Sequence, residues 1–416
     1  MFKRITLKNF RTHTDSVLDL SDVTLLIGSN NAGKSNLFSG INHFSKIVAR
    51  GRPGLPTTDL SVLVDNDLFP HRHRLTPRDA PMSFSCEWMH KLGRVEYEIE
   101  LYEATGNRVG CRETITLFGA DNKPLLDHKV GHCKLVHELR MQKELAESKK
   151  LDDVTSRLVG RFFPDLGTCF LYHLQSSFLQ GKVAYAQHQV DPTDISIAPQ
   201  LGFEGGNLFN LLAALKVGEQ RTYRNVVNAL QRFEGSFRDV GVHAKRQEPV
   251  VYFDLGGDPP RIDDFPTDVV SDGILRALAI AVLTSMQRPP ALILIEEIED
   301  GISQRNLGRF LGWLRQAVGL PDSSDRGYAT QFVLTSHSPS VLREFASHLG
   351  DVHHVFLSKR GHKSVVRNLG QALMTYIDLG TLSGDYVERD GKVVSLEPHI
   401  LVEAWYKGTL GGESDR

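Results

Sequence analysis

The order of apolar and polar positions divides the N-terminal part of the chain into strand-like stretches and one helix-like stretch. Short apolar runs and period-two alternation predict strands at residues 4–7, 17–20, 23–27, 83–88, 95–102 and 114–118. Apolar positions three and four apart predict a helix over 36–48, directly after a glycine-containing turn at 28–35. The last three strands alternate in character, which favours an antiparallel layer.

The rest of the chain alternates between helical and strand periods. Helices are predicted at 135–158, 207–216, 222–233, 274–286 and 305–318, and strands at 170–174, 249–255, 291–295 and 331–335. Strands that alternate with helices favour a parallel sheet. We therefore predict an α/β fold with a mixed β-sheet lobe near the N-terminus and a parallel-sheet core. Its two halves, residues 1–124 and 246–416, are separated by a largely helical insertion at 125–245.

Composition adds mainly exclusions. The 416 residues correspond to roughly 2.8 structural units of average size, so a split or inserted domain is expected. Apolar residues make up 41% and the formal net charge is -2, which excludes a disordered chain and a protein that holds nucleic acid by bulk positive charge. The four cysteines form no CxxC pair, and no apolar run is typical of a signal peptide or a bilayer span. We expect a soluble cytoplasmic protein.

The turn at 28–35, GSNNAGKS, fits the phosphate-loop pattern G-x-x-x-x-G-K-[ST]. Backbone amides of such a loop, together with the N-terminus of the next helix, can bind phosphate oxygens. The predicted nucleotide-binding residues are Gly28, Asn30, Asn31, Ala32, Gly33, Lys34, Ser35 and Asn36. Lys34 is expected to reach the β- and γ-phosphates of ATP as a catalytic group, and the Ser35 hydroxyl to hold Mg²⁺. The alternative, an accidental glycine-rich turn, is disfavoured by its position between an apolar strand and a helix.

Two acidic residues end the strand predicted at 291–295. Glu296 and Glu297 leave the sheet in succession, so their carboxylates are expected on opposite sides of the chain. One carboxylate can bind Mg²⁺, and the other can orient and deprotonate a water for in-line attack. We assign Glu296 to the metal and Glu297 to the water, the alternative being a solvated acidic loop. Glu299 and Asp300 are expected to make loop or dimer contacts.

Two further segments allow a structural or a functional interpretation. His337 follows the strand predicted at 331–335 and could hydrogen-bond a γ-phosphate, although a single histidine is more often structural. Ser271 and Asp272 precede an apolar helix, where such residues ordinarily form N-caps. The alternative is that Ser271 and Gly273 present a second anion-binding helix end. From these residues alone, capping is the better interpretation.

Together these segments resemble a known family. NFR at 9–11, GSNNAGKSN at 28–36, SDGILR at 271–276, LILIEEIEDG at 292–301 and LTSHSPSVL at 334–342 occur in the order seen in ABC-type ATPase heads of the RecF, SMC-like and OLD (overcoming lysogenization defect) group. The stretch at 201–215 also resembles a segment between the two lobes of OLD-type ATPases. The resemblance covers residues 1–50 and 165–370, approximately.

The resemblance implies a P-loop NTPase head, an AAA-type ATP-binding protein that uses ATP and Mg²⁺. Two such heads meet head-to-tail, so Ser271 and Gly273 of one subunit would complete the Walker A site of the other, which reverses the capping interpretation. The resemblance also implies that Arg11 contributes to the nucleotide pocket. Gln175 is implied as a candidate metal ligand in the loop that couples the lobes.

The chain departs from the family pattern at three positions. Glu296 stands where the family has an Asp before the catalytic glutamate, Ile298 where it usually has Pro, and Ser303 where many members have His. Slow hydrolysis is therefore expected. OLD-type nucleases also carry a C-terminal metal-dependent TOPRIM domain, but the segment after His337 is short and has no acidic cluster ending an apolar strand. We expect an ATPase head without its own nuclease.

The leading hypothesis is an ATP-driven homodimeric switch that controls a separately encoded effector, a nuclease or a toxin, in bacterial anti-phage defence. The rival is a RecF-like ATP-dependent DNA-binding protein, supported by basic runs at 71–74 with Arg78, and at 359–360 with 362–363. Such runs are more often solvated faces. The nucleotide-binding subunit of a transporter fits less well, because SDGILR and NFR are typical of the DNA-associated branch and no membrane partner is indicated.

Overall fold

The computed structural model describes residues 1–49, 71–77, 79–104, 108–134, 151–181, 201–243, 245, 248–286, 289–318, 330–358, 362–408 and 410. The chain forms two compact units. The first comprises Met1–Phe170, Ala291–Leu294 and Asp325–Arg416, and the second comprises Leu171–Pro290 and Ile295–Ser324.

The first unit contains an antiparallel lobe of six strands in the order β2-β1-β4-β5-β6-β7. Its strands are β1 (Phe2–Phe10), β2 (His13–Asp19), β4 (Met82–His90), β5 (Gly93–Ala104), β6 (Arg108–Gly119) and β7 (Pro124–Lys134). One face is apolar because alternate residues of each strand point the same way. Helices α1 (Lys34–Ala49) and α2 (Asp153–Leu166) pack against this lobe, where Phe44 stacks on Tyr97 and Phe162 meets Tyr97 edge-on.

A second six-stranded sheet has the order β15-β14-β3-β13-β12-β8. Its strands are β3 (Val23–Ile27), β8 (Cys169–Tyr172), β12 (Leu292–Ile295), β13 (Gln331–Ser336), β14 (Val352–Leu357) and β15 (Ser364–Asn368). Every residue of β3 and β13 is buried, as expected for parallel strands covered on both faces. β3 pairs in parallel with β13 and β14, whereas β15 runs antiparallel to β14.

The C-terminal part of the first unit completes its core. It contains α8 (Pro339–Glu344), a 3-10 turn (Leu349–Asp351), α9 (Leu369–Asp378), the hairpin β16 (Tyr386–Arg389) with β17 (Lys392–Leu396), and α10 (Pro398–Tyr406). Helix α8 packs on α10, and α9 packs on β17 and on β14.

The second unit combines helices with a small antiparallel sheet of order β11-β10-β9. Its elements are α3 (Ser176–Leu179), α4 (Leu208–Gly218), α5 (Gln220–Phe233), β9 (Phe237–Val242), β10 (Pro249–Asp254), β11 (Ile262–Pro266), α6 (Asp272–Ser285) and α7 (Gln304–Val318). Helix α6 is apolar on most sides because α3, α5 and α7 all pack against it. Phe233 of α5 meets Phe310 and Trp313 of α7.

The predicted α/β fold, with its β lobe and its strand–loop–helix phosphate-loop unit, is confirmed. The stretch 125–245 also holds β7, β8 and β9 beside its helices. The predicted helix at 135–158 lies outside the described residues up to 150, and its last part falls in α2. Among the described helices, none combines the length and the apolar character needed to span a bilayer.

Candidate nucleotide-binding site

The phosphate loop joins β3 to α1 in the first unit, and its two glycines are required by conformation and by space. Gly33 has φ 105°, which L side chains rarely adopt. A Cβ on Gly33 would lie 2.0 Å from Ser364 Oγ, and one on Gly28 would lie 2.1 Å from the Val355 carbonyl oxygen. The loop backbone therefore packs directly on β14 and β15, closer than any larger residue allows.

Helix α1 begins at Lys34, so Lys34, Ser35 and Asn36 form its first turn. The first amides of a helix have no acceptor within it and form a partly positive end. The Leu37 amide closes the first helical hydrogen bond, to the Gly33 carbonyl at 2.9 Å. The amides before it are therefore the ones that can bind an anion.

The Lys34 ammonium lies over the loop, where Nζ donates to the carbonyl oxygens of Gly28 at 2.6 Å and Ser29 at 3.0 Å. Asn30 and Asn31 at the loop tip are exposed, whereas Ala32 is buried. Asn31 has a left-handed backbone, with φ 67°, a conformation that asparagine tolerates better than most residues. A compact loop with a cation and a helix end fits a polyphosphate.

Arg11 lies beside the start of α1. Its Nη1 donates to Asn36 Oδ1 at 3.2 Å, and Asn36 Nδ2 donates to Thr12 Oγ1 at 3.0 Å. Partial burial lowers the pKa of the Arg11 guanidinium from its ordinary value. The structure thus brings Arg11 and Asn36 together, two residues that the sequence assigned to nucleotide binding.

His337 is exposed and follows β13. Ser336 at the end of β13 is the register partner of Ile27 at the end of β3. Because the two strands are parallel, His337 and Gly28 leave the sheet side by side at the same edge. The phosphate loop and His337 therefore share one edge of the core sheet.

Glu296 and Glu297 lie in the second unit, after β12. The Glu296 amide donates to the Tyr172 carbonyl at 3.0 Å, and its Oε2 lies 3.5 Å from His173 Nδ1. Glu297 has φ 49°, a left-handed conformation that is uncommon for a residue with a long side chain. Strained backbone of this kind is concentrated at functional sites.

Arg276, on the first turns of α6, fixes this strained segment. The residue is 3% exposed. Its Nη1 donates to the Glu297 carbonyl at 3.0 Å, and its Nη2 donates to the Leu174 carbonyl at 2.7 Å. Leu174 directly precedes Gln175, the N-cap residue of α3. One side chain therefore ties together three segments in which the sequence placed Glu297, Gln175 and the Ser-Asp-Gly motif.

The start of α6 bears on the capping interpretation. Ser271 occupies the N-cap position, but its side chain makes no capping hydrogen bond and the residue is exposed. Gly273 has an open neighbourhood, since a Cβ there would meet nothing nearer than 3.7 Å. Gly301, by contrast, has φ 68° and lies where a Cβ would be 2.6 Å from the Asp272 Cβ. The loop after Glu297 thus packs closely against this helix end, while Ser271 is exposed.

The basic run at 71–74 is not a solvated face, contrary to the sequence-based expectation. His71, Arg72 and His73 are 7%, 6% and 7% exposed, and only Arg74 is exposed. The segment packs on β1, where the His71 ring stacks on Phe10 at 6.3 Å. Arg78, Lys359 and Arg360 lie outside the described residues. Within the described part of the chain, no three His, Cys, Asp or Glu side chains group as metal ligands.

Two segments of the chain, which contain the residues described above, match known protein families. Residues 1–72 match a family described as "AAA ATPase domain", and residues 211–343 match one described as "AAA domain, putative AbiEii toxin, Type IV TA system". The first match spans the phosphate loop, and the second spans Ser271, both glutamates and His337. The chain carries an ATPase domain. No curated protein sequence matches the chain.

Solved structures with distant similarity to this ATPase include SMC heads. The SMC head domain from Thermotoga maritima has 13% identity and a TM-score of 0.40, with 88% of this chain and 98% of that chain covered. An SmcHead bound to the C-winged helix domain of ScpA has 12% identity and a TM-score of 0.43, with 88% and 97% covered. An Smc head domain from Pyrococcus furiosus, bound to the C-terminal domain of ScpA, has 11% identity and a TM-score of 0.40, with 91% and 99% covered.

Proposed function

We propose that this ATPase is a molecular switch whose ATP-dependent head-to-tail homodimer controls a partner effector protein. The observation that carries the proposal is the phosphate loop, whose glycine geometry, helix end and Lys34 fit a nucleotide polyphosphate. The matching family described as an AAA ATPase domain covers this loop.

In the proposed reaction, ATP and water give ADP and phosphate. The amides at 33–36 and the Lys34 ammonium bind the phosphates, and Arg11 and Asn36 contribute to the nucleotide pocket. The hydroxyl of Ser35 and the carboxylate of Glu296 are the groups proposed to hold Mg²⁺, with the Gln175 side-chain oxygen as a further ligand. Oxygen donors of this kind suit that ion, which would offset phosphate charge.

Glu297 is the proposed general base, which accepts a proton from the attacking water. His337 is proposed to hydrogen-bond the γ-phosphate through a ring nitrogen. A carboxylate base must be held in one direction to act, and the two carbonyl contacts of Arg276 support such a role for Glu297.

Dimerisation is proposed to place Ser271 and Gly273 of one subunit against the nucleotide of the other. The exposure of Ser271, whose side chain makes no capping hydrogen bond, and the open space around Gly273 support this assignment. ATP binding would then close the dimer, and hydrolysis would open it.

The partner is proposed to be a separately encoded nuclease or toxin, in bacterial anti-phage defence. The description of the family matched at 211–343 names a putative toxin and a toxin–antitoxin system, which supports a role of this class. Purification of the native assembly, followed by identification of co-eluting proteins, tests this part. Recovery of the ATPase alone at every stage, with and without ATP, would contradict it.

The central experiment compares Glu297→Gln with the wild type. The variant is expected to bind ATP with ordinary affinity, to form an ATP-dependent dimer in light scattering, and to hydrolyse ATP at least about 100-fold more slowly. Glu388→Gln, on the exposed strand β16, is the matched control and should keep wild-type turnover. Unchanged turnover in Glu297→Gln would reject the assigned base.

The RecF-like alternative predicts ATPase stimulation by DNA that weakens steeply with salt. Burial of His71, Arg72 and His73 removes most of one basic run that favoured it. Turnover that stays the same with and without DNA at low salt is the result expected from the switch.

A further inference from the structure

Beneath the phosphate loop, two side chains contact its backbone carbonyls from the side opposite the expected phosphates, and a third side chain contacts one of those two. His13 of β2 lies with Nε2 at 3.0 Å from the Gly33 carbonyl oxygen, and Ser364 of β15 has Oγ at 2.7 Å from the Ala32 carbonyl oxygen. Thr12 Oγ1 lies 2.8 Å from Ser364 Oγ. All three residues belong to the first unit.

The orientation of each hydrogen bond follows from the available protons. His13 Nδ1 lies 2.8 Å from Ser16 Oγ, so the Ser16 hydroxyl can donate to Nδ1 while the Nε2 proton goes to the carbonyl of Gly33. A carbonyl can only accept, so the Ser364 proton goes to Ala32 and Thr12 donates to Ser364. His13 is fully buried, and desolvation lowers its pKa to about 4. The ring is therefore neutral at physiological pH.

A trans peptide is planar, with its C=O and its next N–H pointing in opposite directions. When the Ala32 carbonyl is held on the side away from the expected phosphates, the Gly33 amide therefore points toward them. Fixing the Gly33 carbonyl in the same way fixes the Lys34 amide. These are two of the amides at the phosphate side of the loop.

We propose that His13 and Ser364 are positioning residues that orient the anion-binding amides of Gly33 and Lys34 by holding the preceding carbonyls. The proposal rests on the proposed function, since it takes nucleotide as the ligand of the loop. It assigns a role to β15, a strand more than 300 residues from the loop in sequence, and to a histidine outside the phosphate-loop motif. The close approach of Ser364 to Gly33 also explains why position 33 admits no Cβ.

The experiment measures the Kd of a fluorescent ATP analogue, together with KM and kcat for ATP, on full-length variants. His13→Leu removes the side-chain donor to the Gly33 carbonyl, which then keeps only the Leu37 amide, while the apolar volume is retained. About a tenfold rise in Kd and KM is expected, with kcat within about twofold. His13→Gln can donate through its side-chain amide and should restore affinity to within about threefold of wild type. A purely structural role would instead reduce the active fraction, so that kcat falls while KM stays constant.

Ser364→Ala is the second variant, and it keeps the proposal testable if His13→Leu does not fold. It should raise Kd and KM by a similar factor, because the Ala32 carbonyl loses its donor. His353→Leu is the matched control: His353 is also buried, with a pKa lowered to about 4 by burial. It should change stability without changing KM.

Two failures can be told apart. If the wild type and Lys34→Ala bind the analogue equally, or neither binds it, the proposed nucleotide site is wrong. If the wild type binds and Lys34→Ala does not, while the foldable His13 and Ser364 variants keep wild-type Kd and KM, the positioning role alone is rejected.

Discussion

Arg276 donates to the backbone carbonyl of Glu297 at 3.0 Å, and this contact holds the proposed general base through its main chain. The carboxylate of Asp300 lies 3.8 Å from the same guanidinium. Burial lowers the pKa of Arg276, and the surrounding acidic residues oppose that effect. The hydrogen bonds of this buried cation go mainly to carbonyl oxygens, so they fix the backbone of the segments that carry those carbonyls. Arg276 therefore links α6, the segment before Gln175 and the strained turn at Glu297 within one unit.

Arg276→Lys should separate geometry from charge. A lysine keeps the positive charge but has no planar fork to serve two carbonyls at once. ATP turnover is expected to fall by about tenfold or more, while nucleotide affinity changes little, because Arg276 hydrogen-bonds to the Glu297 and Leu174 carbonyls, which are not among the groups proposed to bind the nucleotide. Arg305→Lys, on the exposed first turn of α7, is the control. Wild-type turnover in Arg276→Lys would show that Glu297 needs no such support.

Local chemistry made the phosphate loop predictable from sequence. Four of the five residues at 23–27 are apolar and favour a buried strand, and the backbone conformation at position 33 is one that few residues other than glycine adopt. The strand, the loop and the helix therefore follow from neighbouring residues. The role of Arg276 was not predictable in this way. It depends on the backbone carbonyls of Leu174 and Glu297, which are remote from Arg276 in sequence. Every residue has a backbone carbonyl, so no sequence pattern indicates these two.

The expectation that the basic run at 71–74 is a solvated face is wrong for the same reason. A local charge pattern indicates how a segment behaves in water. It gives no information about a strand, distant in sequence, that packs on the segment. His71 is buried because it stacks on Phe10 of β1, a contact that only the tertiary fold creates. The apolar pattern of the sequence likewise predicts neither the strand β15 nor its contact with the loop.

Gly33→Ala should abolish nucleotide binding. The new Cβ would lie 2.0 Å from Ser364 Oγ in a backbone with φ 105°, so both space and conformation oppose it. Nucleotide Kd is expected to rise at least about 100-fold, with a loss of about 1–3 kcal/mol in the free energy of unfolding. Gly312→Ala is the control, because Gly312 lies within α7 and a Cβ there meets nothing within 4 Å. That variant should gain about 0.5–1 kcal/mol and bind normally. Equal binding by both variants would contradict the loop geometry.

Stability should fall as the pH decreases from 6.5 toward 4. Burial lowers the pKa from 6.5 to about 4 in four histidines: His13, His43, His353 and His354. Between those values the unfolded chain binds protons that the folded chain excludes, so stability is complete above pH 6.5 and is lost on acidification. Each histidine contributes a slope of about 1.4 kcal/mol per pH unit in this window.

Urea unfolding at pH 7.5, 6.5 and 5.5 measures this dependence. His353→Leu removes one of the four groups, so its slope should be smaller than that of the wild type by about 1.4 kcal/mol per pH unit. His399→Leu, which changes an exposed side chain at the start of α10, should keep the wild-type slope. A wild-type curve that is flat from 7.5 to 5.5 would show that these rings are not excluded from protonation.

Gln331 joins the β lobe of the first unit to its core sheet. Its Oε1 accepts from the Phe2 amide at 2.6 Å, and its Nε2 donates to the carbonyls of Phe2 at 2.9 Å and Ser21 at 3.0 Å. The residue is 1% exposed, so water cannot replace a lost bond. Gln331→Leu removes the side-chain partner of the Phe2 amide and of the Phe2 and Ser21 carbonyls. It is expected to reduce the free energy of unfolding by about 2–4 kcal/mol.

This loss should leave the chemistry intact at temperatures where the variant is folded. Gln331 hydrogen-bonds to Phe2 of β1 and to Ser21, which precedes β3, and the phosphate loop begins only after β3 ends at Ile27. Nucleotide Kd at 15 °C is therefore expected to stay within about twofold of wild type. Gln304→Leu, at the exposed start of α7, should change neither stability nor affinity by a measurable amount. A Gln331→Leu variant as stable as the wild type would mean that the strand ends find other partners, whereas a large loss of affinity would mean that the lobe contact also shapes the loop.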